Sequence, residues 1–440
     1  MPVRGTPIAL ALACLYIVLA AFPMAVAILG PLPPPRGPGV EFGVALGFAA
    51  LGMMGVQFAL TARLRWVSRH LGQDSLLQFH RVAGIFAAVL VAGHVAVLIT
   101  ADPAFAAFFD PRVNLMRAGA LSAACAALVL VLVLSILRNR LGIPYEWWRL
   151  THGALSMLVV LVAAAHVVMV GHYAGPTWKA IAIVAVPAVA IALLVYVRVV
   201  KPWRSGSRPY RVAEVTRIGE RVWRVSLEPA GHRGLSFEAG QFAWVTFADS
   251  PWSIRQHPFT ISSSEHHPSQ LEFTIKELGD FTASIGSIRA GSTAYVEGPA
   301  GNFRAGDQAG GLLLVAGGIG ITPMMSILRT MRDAGDRREV VLIHGVDTMA
   351  KAVFAEELGV LANELNLHAV HVPQHPPEGW TGPSGYVTRE VLDRAVAGRN
   401  LQGWRVLICG PDPMMDGVEE SALAMGVDRW NILSERFRVV

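Results

Sequence analysis

Four histidines, His80, His94, His152 and His166, fall inside long apolar stretches of this 440-residue chain, and the members of each pair stand fourteen residues apart. In a helix, at about 1.5 Å rise and about 100° per residue, that spacing sets both rings of a pair on one face, roughly 21 Å apart along the axis. Ala92-Gly93-His94-Val95 is echoed by Ala164-Ala165-His166-Val167. Neutral imidazole is the commonest protein metal ligand. Two such helices side by side could hold two haems stacked across a bilayer, each iron taking one ring from each helix. One histidine in an apolar helix reads most simply as a polar core residue. Four at matched spacing read as ligands, because an ionisable group inside a membrane is costly and marks function.

The elements that must carry these rings follow from composition. The chain is 53% hydrophobic and 16% charged, with net charge +5. Six long apolar segments precede Val200: Pro7–Leu29, Val40–Leu60, His80–Thr100, Ala118–Leu137, Leu150–Val170 and Trp178–Val197. Each is near the roughly 20 residues that cross a bilayer. The first has a rival reading as a signal peptide, with Arg4, an apolar run and Ala25-Val26-Ala27 at a cleavage-like position. Arg63, Arg65 and Arg69, then Arg138, Arg140 and Arg149, then Arg198, Lys201, Arg204, Arg208 and Arg211 gather on one side, against Arg36, Arg112 and Arg117 on the other. The positive-inside rule then makes both termini cytoplasmic in an inner or plasma membrane, with His80 and His152 toward the inside and His94 and His166 toward the outside. The basic balance is explained by these arginines, and nothing points to nucleic acid. Cys14, Cys125 and Cys409 make neither a disulfide framework nor a zinc site.

After Lys201–Ser207, read as a short linker, the pattern changes to alternating segments. Trp223, Val225 and Leu227 share one face of a strand, as do Leu271, Phe273 and Ile275. Several such strands broken by glycines suggest an antiparallel barrel over about residues 208–305. From Gly311 the order becomes strand, helix, strand: Leu312–Ala316, Pro323–Asp333, Glu339–His344 and later Arg405–Cys409. That is an α/β layer with a mainly parallel sheet. Its first turn is Gly317-Gly318-Ile319-Gly320-Ile321-Thr322-Pro323. Glycines admit a phosphate close to backbone amides, and a helix N-terminus favours its charge. Thr322 is the expected N-cap, with Pro323 at the first helical position.

His257-Pro258-Phe259-Thr260, Gly279-Asp280-Phe281-Thr282, Glu297-Gly298-Pro299, Gly317–Pro323 and Cys409-Gly410-Pro411 occur in the order found in ferredoxin-reductase-type flavoproteins. Joined to a six-span bis-histidine segment, they make nearly the whole chain resemble the ferric reductase / NADPH oxidase superfamily. The resemblance implies a multi-domain membrane protein: a six-helix transmembrane haem-binding domain over 1–203, an antiparallel β-barrel FAD domain over 204–307 and an α/β NAD(P)-binding domain over 308–440. It implies FAD held by His257, Pro258, Phe259 and Thr260, with Thr260 near the reactive flavin nitrogen, and by Gly279, Phe281 and Thr282. It places a nicotinamide dinucleotide at Gly317, Gly318, Gly320 and Thr322, with Cys409, Gly410 and Pro411 lining the nicotinamide pocket. Phe437 matches the near-terminal aromatic that covers the flavin in the family. Thr260, Cys409 and Phe437 are thus the expected catalytic residues.

Such a protein would move electrons from cytoplasmic NADH or NADPH through FAD and two b-type haems to an acceptor at the outer face, since FAD links two-electron to one-electron carriers. NADP-specific relatives place arginine or serine after the second strand of the last domain, whereas this chain has Gly345-Val346-Asp347. An aspartate there favours a ribose hydroxyl over a phosphate, although Lys351 or Arg389 could reach one. Arg81 and Arg149 are candidates to pair with propionates of the inner haem, and Arg112, Arg117 and His172 to guide the acceptor. Oxygen and a ferric chelate both remain open as acceptors, and so does an electron-relay role toward a periplasmic protein or quinone.

Overall fold

The computed structural model of the protein describes residues 5–247, 250–306 and 310–436. The chain forms two compact units, one reaching Val200 and a second from Lys201 onward that also takes in Leu71–Asp74.

The first unit is helical. Its long helices are α1 (Gly5–Ile28), α2 (Pro38–Thr61), α4 (Gln73–Ala101), α5 (Leu115–Leu137), α6 (Tyr145–Val170) and α7 (Thr177–Val195), with a short α3 (Arg65–Leu71) between the second and third. Among the described residues, six helices are long and apolar enough to span a membrane. α4 and α6 begin at Gln73 and Tyr145, earlier than hydropathy places them, because their first turns carry polar residues. His80 and His152 therefore each lie seven residues inside a helix. Many large apolar side chains, among them Val82, Phe86, Val129, Met169 and Ile181, face outward as a lipid-facing surface requires. Lys179 is only 1% exposed, and its ammonium donates to the Ala27 carbonyl at 2.8 Å, in the last turn of α1. A cation suits those unpaired carbonyls.

The expected linker is partly helical: Lys201–Gly206 forms α8. Proline is tolerated in a first turn, and the buried Lys201 ammonium pairs with Glu297 at 2.8 Å. The barrel strands are β1 (Tyr210–Gly219), β2 (Val222–Pro229), β3 (Phe242–Phe247), β4 (His257–Thr260), β5 (Leu271–Lys276) and β6 (Thr293–Ala300), in the order β4-β3-β6-β1-β2-β5. Every described pairing in this sheet is antiparallel. Ile261 bridges to Phe273 and so brings the two edges together. The two alternating segments read from the sequence face each other: Trp223 pairs with Ile275, Val225 with Phe273 and Leu227 with Leu271. The last five of these residues are buried at 2% exposure or less. A four-residue helix, α9 (Asp280–Ala283), follows β5.

The remaining chain is a doubly covered parallel sheet. Its strands are β7 (Gly311–Gly317), β8 (Glu339–Val346), β9 (Leu367–Pro373), β10 (Arg405–Cys409) and β11 (Ile432–Ser434), in the order β11-β10-β7-β8-β9. Leu312, Leu314 and Ala316 join the core beneath α10 (Thr322–Ala334) and α11 (Ala355–Glu364). Leu313 and Val315 point the other way, to α12 (Arg389–Ala395) and α13 (Asp412–Ala424). Both faces of β7 are buried, so it reads as a continuous apolar run. Leu314→Ala removes a fully buried side chain from this central strand. It is expected to cost about 2–5 kcal/mol in denaturant unfolding, and a loss under about 1 kcal/mol would contradict the central placement.

Candidate haem, flavin and nucleotide sites

α4 and α6 bring the four histidines together in two pairs. The rings of His80 and His152 have centres 6.1 Å apart and are inclined at 58°. Two imidazoles that share a metal ion at about 2 Å from each nitrogen hold their centres roughly 6 Å apart. The other ring nitrogens are engaged. Ser135 Oγ donates to the Val131 carbonyl at 2.6 Å, so it accepts from Nδ1 of His152 at 3.2 Å. The side-chain amide of Gln57 lies 2.6 Å from Nδ1 of His80. With its amide oxygen toward the ring, Gln57 accepts from Nδ1–H and leaves the Nε2 lone pair for a ligand; with its NH2 there, the proton would sit on Nε2.

His94 and His166 line one apolar cavity with an empty volume of about 1250 Å³, its open mouth included. Nδ1 of His94 meets the Gly43 carbonyl at 2.8 Å and must donate to it. A Cβ on Gly47 would stand 2.7 Å from the same ring, so only glycine leaves the room. Phe108 packs edge-on against His166, with centres 5.7 Å apart. Among the described residues no cluster of three or more His, Cys, Asp or Glu could hold a bare metal ion. Paired imidazoles with an otherwise apolar wall would instead suit a metal that brings most of its own ligands. The residues therefore fit haem. His172 and Arg36 also line this cavity. Arg112 is paired with Asp110 at 3.0 Å, and Arg117 donates to the Ala107 carbonyl at 3.1 Å.

In the second unit β4 presents His257, Pro258, Phe259 and Thr260, paired with Val245, Trp244, Ala243 and Phe242 of β3. His257 and Thr260 are buried. Phe281 stacks on His257 with centres 3.8 Å apart and lies nearly parallel to Phe259 at 6.2 Å. Flat aromatic faces suit a planar ring system such as a flavin. The Thr282 hydroxyl serves its own turn: it accepts from the amides of Leu278 at 2.8 Å and Gly279 at 3.0 Å.

The glycine turn divides its labour. A Cβ on Gly320 would stand 2.2 Å from the Cys409 carbonyl oxygen, and one on Gly317 would stand 2.6 Å from Pro411. These two glycines let the turn press on Cys409-Gly410-Pro411, where β7 and β10 diverge. That is the topological switch point at which α/β sheets bind ligands. Gly318 is different: its φ is +53° and a Cβ there would meet nothing. Its carbonyl accepts from Nε2 of the fully buried His344 at 3.0 Å. Burial holds His344 down to about 4, so the ring is neutral and stays a donor through physiological pH. Thr322 does not cap α10. A 3-10 turn over Gly318–Ile321 precedes the helix, and the Thr322 hydroxyl donates back to the Ile319 carbonyl at 3.1 Å.

Asp347 directly follows the strand as expected, but it is already paired with Lys351 at 2.7 Å and His375 at 2.9 Å, which together hold its carboxyl below the usual range. Asp347, Lys351, Gly318 and Ile319 share a cleft with Glu220, Arg221 and Lys276 of the barrel. Phe437 lies outside the described residues.

Sequence reasoning missed Glu435. Its amide joins the Ile408 carbonyl at 3.1 Å, and the carboxyl is buried beside the end of β10. The only signal was an acid directly after the apolar strand Ile432–Ser434. Burial pushes Glu435 up to about 8, and burial with the charge of Glu435 pushes the Cys409 thiol up. Cys409 is thus a neutral thiol rather than a nucleophile.

A helical unit with one facing imidazole pair and two more histidines lining one cavity, followed by a barrel and a parallel dinucleotide-type sheet, defines an integral membrane oxidoreductase with flavin- and nucleotide-binding domains. Three family descriptions match the chain in that order: ferric reductase like transmembrane component over 46–163, FAD-binding domain over 208–302 and oxidoreductase NAD-binding domain over 314–420. The three matches in this order support a fusion of the ferric reductase / NADPH oxidase type. NADH-cytochrome b5 reductase 1 of Pyricularia oryzae is 32% identical over 175 residues, 38% of this chain and 56% of that protein. NADH oxidoreductase HCR of Escherichia coli is 30% identical over 237 residues, 52% of this chain and 66% of that protein. The chain thus spans less than two thirds of either relative. Amycolatopsis cytochrome P450 reductase GcoB, a crystal structure, is 25% identical with a TM-score of 0.46 over 52% of this chain and 69% of its own.

Glu435 supplies a pH test. The folded chain keeps a proton that the unfolded chain releases near the ordinary value of 4.5. This contribution to stability is therefore lost as pH rises from 4.5 to about 8. Glu435→Gln does not titrate. Its melting temperature relative to the parent is expected to climb across that window and level off above it, and a flat difference would refute the buried acid.

Proposed function

We propose that this protein carries electrons from cytoplasmic NAD(P)H, by way of FAD and two b-type haems, to an acceptor at the outer face, either ferric iron or molecular oxygen. The observation that carries the reading is the His80–His152 pair, at metal-sharing distance with Nδ1 of each ring engaged by a neighbour. His94 and His166 would hold the second haem in the apolar cavity that both line. Bound FAD would accept a hydride and pass electrons on singly, which haem requires. Thr260 and Phe259 would orient the flavin ring, Gly318 would let the dinucleotide phosphates approach, and Cys409 would shape the nicotinamide pocket without ionising. The arginines of the second and fourth connections and of the segment after the sixth span support cytoplasmic termini and flavin domains, in an inner or plasma membrane.

The test uses the full chain purified in detergent and reduced anaerobically with NADH or NADPH, with haem reoxidation followed on adding oxygen or a ferric chelate. The parent is expected to carry two haems per chain. His80→Ala and His94→Ala should each lose one, and the double variant both, by haemochrome assay. A parent without haem, or one that neither nucleotide reduces, would end this reading. Indifference to both acceptors would point to a periplasmic protein or a quinone instead.

Nucleotide choice is expected to favour NADH. Asp347→Ser should raise kcat/KM for NADPH while lowering that for NADH, because it removes a carboxylate that repels a 2′-phosphate and binds ribose. Steady-state kinetics with both nucleotides decides it, and an unchanged ratio would remove Asp347 from the selection.

A further inference from the structure

The guanidinium of Arg329 joins groups of the barrel to groups of the nucleotide layer. Arg329 lies on α10 and is 8% exposed. Its Nη1 donates to the Ser262 carbonyl and to Glu272, both at 2.8 Å, while Nε and Nη2 grip the Glu357 carboxylate at 2.6 and 2.8 Å. The guanidinium also stands 5.5 Å from the ring centre of Phe354. One turn around it on the same helix face, Ser326 donates to the Ser263 carbonyl at 2.8 Å, and the Thr330 hydroxyl accepts from the Glu265 amide at 3.1 Å.

The placement of these bonds is what matters. Ser262, Ser263 and Glu265 follow directly on β4, the strand that ends at Thr260, and Glu272 belongs to β5. Glu357 belongs to α11, inside the nucleotide layer. At its other end α10 starts from the glycine turn, with Arg329 seven residues, or about 10 Å, beyond Thr322. One helix thus links the flavin strand to the dinucleotide turn, and it is fastened to the barrel by a buried charge with both carboxylates in place. A buried ion pair adds little to stability compared with apolar residues, but it permits only one geometry.

We infer that Arg329 is a positioning residue that fixes the register between the flavin strand and the dinucleotide turn, and thereby the rate of hydride transfer. The inference rests on the flavin and nucleotide assignments made under Proposed function. In the step it governs, NADH gives up a hydride with both electrons to FAD, which leaves NAD+ and FADH−. Arg329 touches neither reactant. A register error of about 1 Å is enough to slow such a step by a hundredfold.

The experiment is a rapid-quench measurement of NAD+ formed in the first turnover, with NADH and with NADH deuterated at the transferred position, on the full FAD- and haem-loaded chain. Arg329→Met is expected to slow the first turnover by about 10- to 100-fold with a larger isotope effect, while apparent Kd for NADH and flavin content stay at parent values. Arg329→Lys should recover part of the rate. Glu272→Gln, which weakens a bond across the two layers, should reproduce the slowing. Glu357→Gln, which weakens one inside the nucleotide layer, should lower the melting temperature and spare the rate. Parent-like transfer in Arg329→Met would overturn the inference, as would equal slowing in Glu272→Gln and Glu357→Gln accompanied by loss of flavin. A parent that forms no NAD+ would instead overturn the flavin reading beneath it.

Discussion

An imidazole inside hydrocarbon carries one N–H that must find an acceptor and one lone pair that must find a use. In the helical unit the first demand is met by groups on neighbouring helices: the Gly43 carbonyl for His94 and the Ser135 hydroxyl for His152, with the Gln57 amide at His80. For His94 and His152 the acceptor fixes the Nδ1–H tautomer and leaves the Nε2 lone pair for a ligand. The packing of α2 and α5 beside α4 and α6 is therefore part of the site itself. Gly47 illustrates the dependence, since any side chain there would displace the His94 ring.

The second unit solves a different problem, that of bringing two layers into contact without burying unmatched polar backbone. The sheet does so at its switch point, where glycines let the ends of β7 and β10 touch backbone to backbone. A turn packed this tightly turns Gly318 and Ile319 to the cleft, and His344 holds the Gly318 carbonyl from behind. The barrel is joined to α10 through hydrogen bonds to main-chain groups of residues 262–265, beside an apolar core that also takes in Val222 and Ala239. Polar seams specify orientation more strictly than apolar ones, because hydrogen bonds fail within a few tenths of an ångström.

Much of this was legible in the chain. Six spans, the antiparallel barrel and the parallel sheet follow from periodicity, and the paired faces of β2 and β5 were readable strand by strand. Helix starts were less so, since the polar first turns of α4 and α6 carry no hydropathy signal. The Lys201–Ser207 stretch reads as a linker by composition but folds as helix over Lys201–Gly206, where Lys201 finds Glu297 in the barrel. Thr322 has the right type and place for a cap, yet the preceding 3-10 turn offers its hydroxyl a carbonyl instead.

What the sequence by itself determined is therefore the inventory: which segments are apolar along their whole length, which alternate, and which four imidazoles can share a helix face. These are local properties, set by periodicity along the chain. Tertiary structure alone decided which nitrogen each imidazole has free, which glycines face a ligand and which a neighbouring backbone, and that Glu435 is buried beside Cys409. It also decided that one arginine of α10 meets carboxylates from two layers. Each of these depends on groups tens to hundreds of residues away being brought within hydrogen-bonding distance, and no spacing along the chain encodes that distance.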